Sequence, residues 1–164
     1  MKISKDLVSS LLETGVSAIS KHFPNKEAIV ELLIEREADR HLEILEKKYA
    51  EIKGQPFDLI IETLIKEISI AMAKSKVGIR IILTSTFAEE RLSSLIHARR
   101  SLVVFVEKVL RDAGYEENAH IKAYTIVAAL GGMVETLAFR KSENLSEEEL
   151  VQETMKMILS YCNA

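Results

Sequence analysis

Few residues of this sequence have the types and spacing that catalysis requires. Glu117 and His120 form one Glu-x-x-His pair, the spacing used in di-iron helical bundles, but those proteins need a second such pair and two further carboxylates. The sequence has no second copy, and it has no His-Glu-x-x-His segment, glycine-rich phosphate loop or nucleophile elbow. The single Cys162 has no neighbour that would activate its thiol. We therefore predict a binding protein rather than an enzyme, with no catalytic residue, metal or cofactor.

The composition is that of an ordinary soluble and ordered protein. The 164 residues are 48% apolar and 29% charged, with a formal net charge of −3. One cysteine excludes a disulfide framework within the chain and fits a reducing compartment. No signal peptide is visible, and the longest apolar stretch, 123–139, is interrupted by polar residues and is short for a membrane span. We expect a cytoplasmic protein with no membrane partner.

Apolar residues recur with a period close to 3.6 almost everywhere, which predicts an all-α fold. Gly54 and Pro56 end a long helix that opens near Asn25. Ser146 followed by Glu149 is a capping-box pattern at the start of the last helix. The predicted helices cover residues 4–13, 16–21, 25–53, 57–74, 77–87, 91–113, 119–141 and 146–161.

Two segments near the amino terminus resemble a known family signature. Residues 14–17 read Thr-Gly-Val-Ser, and residues 21–29 read Lys-His-Phe-Pro-Asn-Lys-Glu-Ala-Ile. They are similar to the signature of the TetR (tetracycline repressor) family of transcriptional regulators, in which Gly-Val-Ser opens the recognition helix and His-Phe-x-x-Lys-Glu leads into a long connecting helix. The resemblance implies a TetR-like helical bundle, with a partial helix-turn-helix head at 1–26, a connecting helix at 27–53 and a ligand-binding, dimerising body at 54–164.

The head differs from the family pattern in two ways. The first of the three head helices has no counterpart in the 22 residues before Phe23. Only three residues separate Ser17 from Lys21, about two fewer than in the family, and losing two residues rotates a helix by roughly 200°. Two hypotheses therefore stay open: a DNA-binding transcriptional repressor, and a helical dimeric ligand-binding or interaction protein that has lost sequence-specific DNA binding.

The resemblance implies that a homodimer binds operator DNA through its head and releases it when a small apolar effector binds the body. The polar residues that match the DNA-contacting part of the head are Ser17, Ser20, Lys21, His22 and Lys26. Lys26 stands at the start of the connecting helix, where its charge and the helix amino terminus both attract phosphate.

The body supplies candidates for an effector pocket and for a dimer interface. Apolar and isolated polar residues of the central helices are candidate pocket walls: Met72, Ile82, Phe87, His97, Phe105 and Tyr124. Small residues of the penultimate helix and apolar residues of the last helix are candidate interface residues: Ala128, Gly131, Gly132, Ala138, Met155 and Ile158. Each residue of either set is also explained by packing inside one chain.

Overall fold

The computed structural model describes residues 26–85, 92–139 and 146–163, and in these ranges all regular structure is helical. The five helices are α1 (Lys26–Ile52), α2 (Phe57–Ser85), α3 (Leu92–Asp112), α4 (Ala119–Phe139) and α5 (Glu147–Cys162). The all-α prediction is therefore confirmed for the described chain. The predicted helices at 4–13 and 16–21 lie outside the described residues, as do Ser17, Ser20, Lys21, His22 and Phe87.

Helix α1 matches the predicted connecting helix to within one residue at each end. Its 27 residues give it a length of about 40 Å at 1.5 Å per residue. Gly54 follows its end with φ +92°, a left-handed conformation that favours glycine. Lys26, a candidate DNA contact, is the first residue of this helix.

Helix α2 corrects the predicted division at residues 74–77. The structure has one helix of 29 residues where the sequence pattern indicated two. The polar residues Lys74, Ser75 and Lys76 interrupt the apolar pattern but leave every backbone donor in place. Gly78 costs only about 1 kcal/mol inside a helix, and no proline breaks the hydrogen-bond ladder.

The turn from α3 to α4 is a Schellman motif centred on Gly114. Gly114 has φ +91°, its amide donates to the Arg111 carbonyl at 2.9 Å, and the Tyr115 amide donates to the Leu110 carbonyl at 3.0 Å. The predicted capping box of α5 is also present: the Glu149 amide donates to Ser146 Oγ at 3.0 Å, and the Ser146 amide donates to Glu149 Oε2 at 2.7 Å.

The core lies around α4, which packs against α2, α3 and α5, while α1 packs against α2 and α3. Leu110 and Ala123 are fully buried where α3 meets α4. Helix α1 contributes Leu45 and Tyr49, both in its carboxyl-terminal half, to the main core cluster. Ile34 in its amino-terminal half is also buried, with 2% of its surface exposed.

Candidate dimer face and ligand groove

Helix α4 is apolar on the side that faces solvent as well as on the side that faces the core. Its core side buries eight residues: Ala119, Ala123, Ile126, Val127, Leu130, Met133, Leu137 and Ala138. By length and composition it is the one helix of the described chain that could cross a membrane, although the core helix of a soluble protein passes the same test. A helix that is apolar all round is normally covered on every side, and in this structure α4 is covered on one side.

The uncovered side of α4 adjoins exposed apolar residues of α5. Tyr161 Oη lies 3.4 Å from Thr125 Oγ1, which places the two helices' exposed side chains next to each other. Among the exposed positions of α4 from Ile121 to Phe139, Glu135 is the one charged residue. We call this surface the outer face; it consists of Ile121, Tyr124, Thr125, Ala128, Gly131, Gly132, Glu135 and Phe139 of α4 with Met157 and Tyr161 of α5.

Within the part of the chain that the structure describes, no side chain or backbone segment packs closely against the glycine pair of the outer face. A Cβ atom built at Gly131 or Gly132 would meet no other atom within 4 Å, and α4 continues as a helix through both residues. Each glycine nevertheless costs about 1 kcal/mol relative to alanine in a helix interior. Because neither residue has a side chain, the backbone of α4 is uncovered in the middle of the outer face, and a second molecule could approach it closely.

Half of the residues predicted for the dimer interface lie on the outer face, and the others do not. Ala128, Gly131 and Gly132 are exposed there. Ala138 and Ile158 are 3% and 1% exposed, so both are buried inside the chain and neither belongs to the outer face. Met155 is half-buried and lines a groove on another side of α5. Small and apolar residues serve core and surface packing equally well, and their type alone did not separate the two.

A groove with a volume of about 460 Å³ runs between α2, α4 and α5. Its apolar wall combines the buried Leu137 and Ala138 with the half-buried Val134, Val151 and Met155. Ile70, which is 48% exposed, forms part of its lip. Polar and charged side chains complete the lining: Glu62, Lys66, Ser69, Glu147, Glu148, Gln152 and Lys156.

Three of the residues predicted to form the effector pocket, Phe105, His97 and Tyr124, do not line this groove. Phe105 is 4% exposed and packs edge-on against Tyr49 in the core, with ring centroids 6.0 Å apart. His97 is exposed on α3. Tyr124 is 44% exposed and belongs to the outer face. Met72 and Ile82 are both part of α2.

A hydrogen-bonded cluster fastens the carboxyl-terminal half of α1 to the end of α3. Tyr49 Oη donates to Asp112 Oδ2 at 2.9 Å, and Lys53 Nζ lies 2.9 Å from the same oxygen. Burial, followed by the bond to Asp112, raises the pKa of the Tyr49 hydroxyl to about 12. Hydrogen bonds from Lys53 and then Tyr49 hold the pKa of the Asp112 carboxyl below its usual value.

The histidine of the Glu-x-x-His pair has a carboxylate partner on α3, and the single cysteine is buried. His120 Nδ1 lies 2.7 Å from Glu107 Oε2 on α3, and its ring packs against Tyr124. Cys162 is 2% exposed, and burial raises the pKa of its thiol. Within residues 26–85, 92–139 and 146–163, no three histidine, cysteine or acidic side chains are grouped so that they could hold a metal ion.

Comparison of the chain with protein-family models, with curated proteins and with solved structures gave no match.

The outer face could be foreseen in part from the sequence, because the run of small residues on a long apolar helix is visible there. The groove could not be foreseen, because it lies where α2 meets α4 and α5, and α2 is distant from both in the chain.

Proposed function

We propose that this chain is a cytoplasmic, homodimeric transcriptional regulator of the TetR type, in which a helical body senses a small molecule and a head at residues 1–26 binds operator DNA. The observation that carries the proposal is the outer face, a largely apolar strip of α4 and α5 that has two glycines at its centre and Glu135 as its one charged residue. Contiguous exposed apolar surface marks an interaction site. In the resemblance described above, the last two helices of the body form the dimer interface.

The body and the head would communicate through α1. This helix is about 40 Å long, and Tyr49 and Lys53 bind its carboxyl-terminal half to α3. A shift of the body against α1 would change the separation of the two heads in a dimer. Two half-sites of a palindromic operator lie about one helical turn or a multiple apart, so DNA affinity would follow that separation. The effector must then bind one separation better than the other.

The dimer is tested by sedimentation velocity of the wild type and of Ala128→Glu. We expect the wild type to sediment at twice the chain mass of 18.4 kDa. The variant would place two carboxylates inside the interface without cations to pair them, which should raise the dissociation constant by at least about tenfold. Ala50→Glu, at an exposed position of α1, makes the same change outside the face and should remain dimeric. A wild type that is monomeric, or that binds lipid vesicles through this face, would contradict the proposal that the outer face forms a dimer.

DNA binding is tested by gel shifts on the duplex upstream of the chain's own coding sequence. Affinity should fall steeply with salt because the cationic residues of the head release counterions from phosphate. The double variant Lys21→Ala/Lys26→Ala should weaken binding to all sequences, whereas Glu46→Gln on exposed α1 surface should leave it unchanged.

The alternative is a dimeric ligand-binding or interaction protein without sequence-specific DNA binding. The shortened spacing between Ser17 and Lys21 favours it, because the residues that read bases would point in another direction. A wild type that dimerises but gives no gel shift at low salt would establish this alternative over the regulator.

A further inference from the structure

We propose that the outer face is self-complementary about a twofold axis, and that Glu135 of each copy forms an ion pair with Arg100 of the other. The inference rests on the homodimer proposed above and adds two things to it: the antiparallel crossing of the two α4 helices, and the charged residues that restrict the partner to a second copy of this chain. Two such pairs form in each dimer, because an isologous interface repeats every contact.

Glu135 is the charged residue of the outer face, and it has no partner within the described part of the chain. Its side chain is exposed, and no hydrogen bond or ion pair joins it to another residue there. A carboxylate that is covered by an apolar surface loses its hydration, which costs free energy unless a cation lies next to it. A molecule that covers the outer face must therefore bring a cation to Glu135.

Arg100 of α3 lies at the edge of the outer face, beside Ala128. Helices α3 and α4 pack against each other and run antiparallel through the turn that joins them. Glu107 Oε2 of α3 lies 2.7 Å from His120 Nδ1 of α4, and the His120 ring packs against Tyr124 of the face. Arg100 precedes Glu107 by two turns, which is about 11 Å on the same side of α3, and Ala128 follows His120 by about 12 Å in the same direction. Among the described residues, Arg100 has no carboxylate partner.

The glycine pair places Glu135 and Arg100 opposite each other when two copies meet. Ala128 lies three residues before Gly131, and Glu135 lies three residues after Gly132. If two α4 helices cross antiparallel at the glycines, the twofold axis brings Glu135 of each copy onto Ala128 of the other, next to Arg100. Both positions are only about 5 Å along the helix from the crossing point, so this holds over a wide range of crossing angles. A parallel crossing would bring the two Glu135 carboxylates together, which the repulsion of like charges disfavours.

The pairing distinguishes a second copy from other molecules that could cover an apolar face. The hydrocarbon of a lipid bilayer would cover the outer face without a cation at Glu135, whereas a second copy supplies both apolar surface and a guanidinium at the required position. The carboxylate added by Ala128→Glu still finds no free cation in the dimer, because Arg100 is already paired with Glu135.

The test mixes two charge-reversed variants, Glu135→Arg and Arg100→Glu. Each variant alone has like charges at both pairing positions, and its dimer dissociation constant should rise at least about tenfold. A heterodimer of the two variants again has opposite charges at both positions, so the equimolar mixture should associate within about threefold of the wild type. Sedimentation velocity of each variant and of the mixture measures association, and native mass spectrometry identifies the heterodimer.

A matched pair of variants on α1 controls for the change in net charge. Glu46→Arg and Lys47→Glu reverse charges at exposed positions outside the outer face, so each should dimerise as the wild type does, and mixing them should not favour the heterodimer. Arg100 and Glu135 are exposed in the single chain, so their variants should fold, which circular dichroism verifies. The double variant Glu135→Arg/Arg100→Glu restores opposite charges within a homodimer and should associate as the mixture does.

The outcome is separable from that of the proposed function. A wild type that dimerises through the outer face, with single variants that dimerise equally well or a mixture that gains nothing over them, would overturn the pairing and keep the dimer. A wild type that is monomeric would remove both. A mixture that restores the dimer in a chain that shifts no DNA would confirm the pairing and favour the alternative function.

Discussion

At the residue scale, the hydrogen bond between Tyr49 and Asp112 links α1 to the end of α3. Tyr49 is 4% exposed, and its hydroxyl has a carboxylate partner 63 residues away in the chain. The period of about 3.6 places Tyr49 on the same face of α1 as Leu42 and Leu45, which predicts that it faces the core. It could not identify Asp112, because which helices meet, and at which turn, depends on the packing of the whole body. The sequence thus predicted the burial of this residue but not its hydrogen bond.

Tyr49→Phe should lower the free energy of unfolding by about 1 kcal/mol at pH 7, the usual contribution of one hydrogen bond. The difference should depend on pH with a definite sign. The pKa of Tyr49 is about 12 in the folded chain against a reference value of 10.0, so its contribution is complete below pH 10 and is lost as the pH rises through that interval. The advantage of the wild type should vanish near pH ~11 and then reverse. Urea unfolding of both proteins between neutral and alkaline pH, followed by circular dichroism, measures it.

A double-mutant cycle provides the control for that experiment. Asp112→Asn removes the carboxylate that Tyr49 shares with Lys53, and combining it with Tyr49→Phe isolates the coupling between the two partners. We expect a coupling free energy of about 1 kcal/mol at pH 7. Strict additivity, or a Tyr49→Phe effect that stays constant up to alkaline pH, would show that the hydroxyl contributes nothing through Asp112.

At the element scale, the helix ends that carry their own chemical signal were predicted well. The capping box of α5 and the glycine after α3 act through neighbouring backbone groups, so the local sequence is sufficient to find them. The division of α2 was predicted wrongly for a related reason. A polar interruption changes the apolar pattern without removing a backbone hydrogen bond, and a helix ends only where its hydrogen bonds or its packing end.

Replacing Gly131 and Gly132 by alanine should affect the helix and the proposed dimer in opposite directions. The new Cβ atoms meet nothing in the single chain, so each substitution should stabilise α4 by about 1 kcal/mol. The same atoms would hold a second copy away from the backbone, which should weaken association severalfold. Urea unfolding at low protein concentration measures the first effect, and sedimentation equilibrium measures the second.

The reverse substitution on α1 calibrates the effect of glycine in this chain. Ala50→Gly, at an exposed helical position, should destabilise the fold by up to about 1 kcal/mol and leave association unchanged. Alanine variants of α4 that gain stability and associate as tightly as the wild type would mean that no molecule approaches the glycine pair closely.

At the scale of the whole molecule, the sequence predicted small interface residues on one apolar helix but did not separate the exposed side of that helix from its buried side. Ala128 and Ala138 are alike in type and lie on the same helix, yet one is exposed and the other is 3% exposed. Their difference follows from the positions of α2, α3 and α5 around α4. The groove depends on the same arrangement, which explains why Met155 was predicted for the dimer interface but lines the groove in the structure.

If the outer face is covered by a second copy, the fold of each chain is stabilised by its partner and its apparent stability must depend on concentration. Each tenfold increase in protein concentration then adds about 1.4 kcal/mol of apparent stability, because unfolding releases two chains from one dimer. The urea midpoint of the wild type should therefore rise over a hundredfold range of concentration. Ala128→Glu should unfold at a lower midpoint that is nearly constant over this range, while Ala50→Glu should behave as the wild type does. A wild-type midpoint that does not change with concentration would mean that no second copy stabilises α4, and that its exposed apolar side meets another kind of partner.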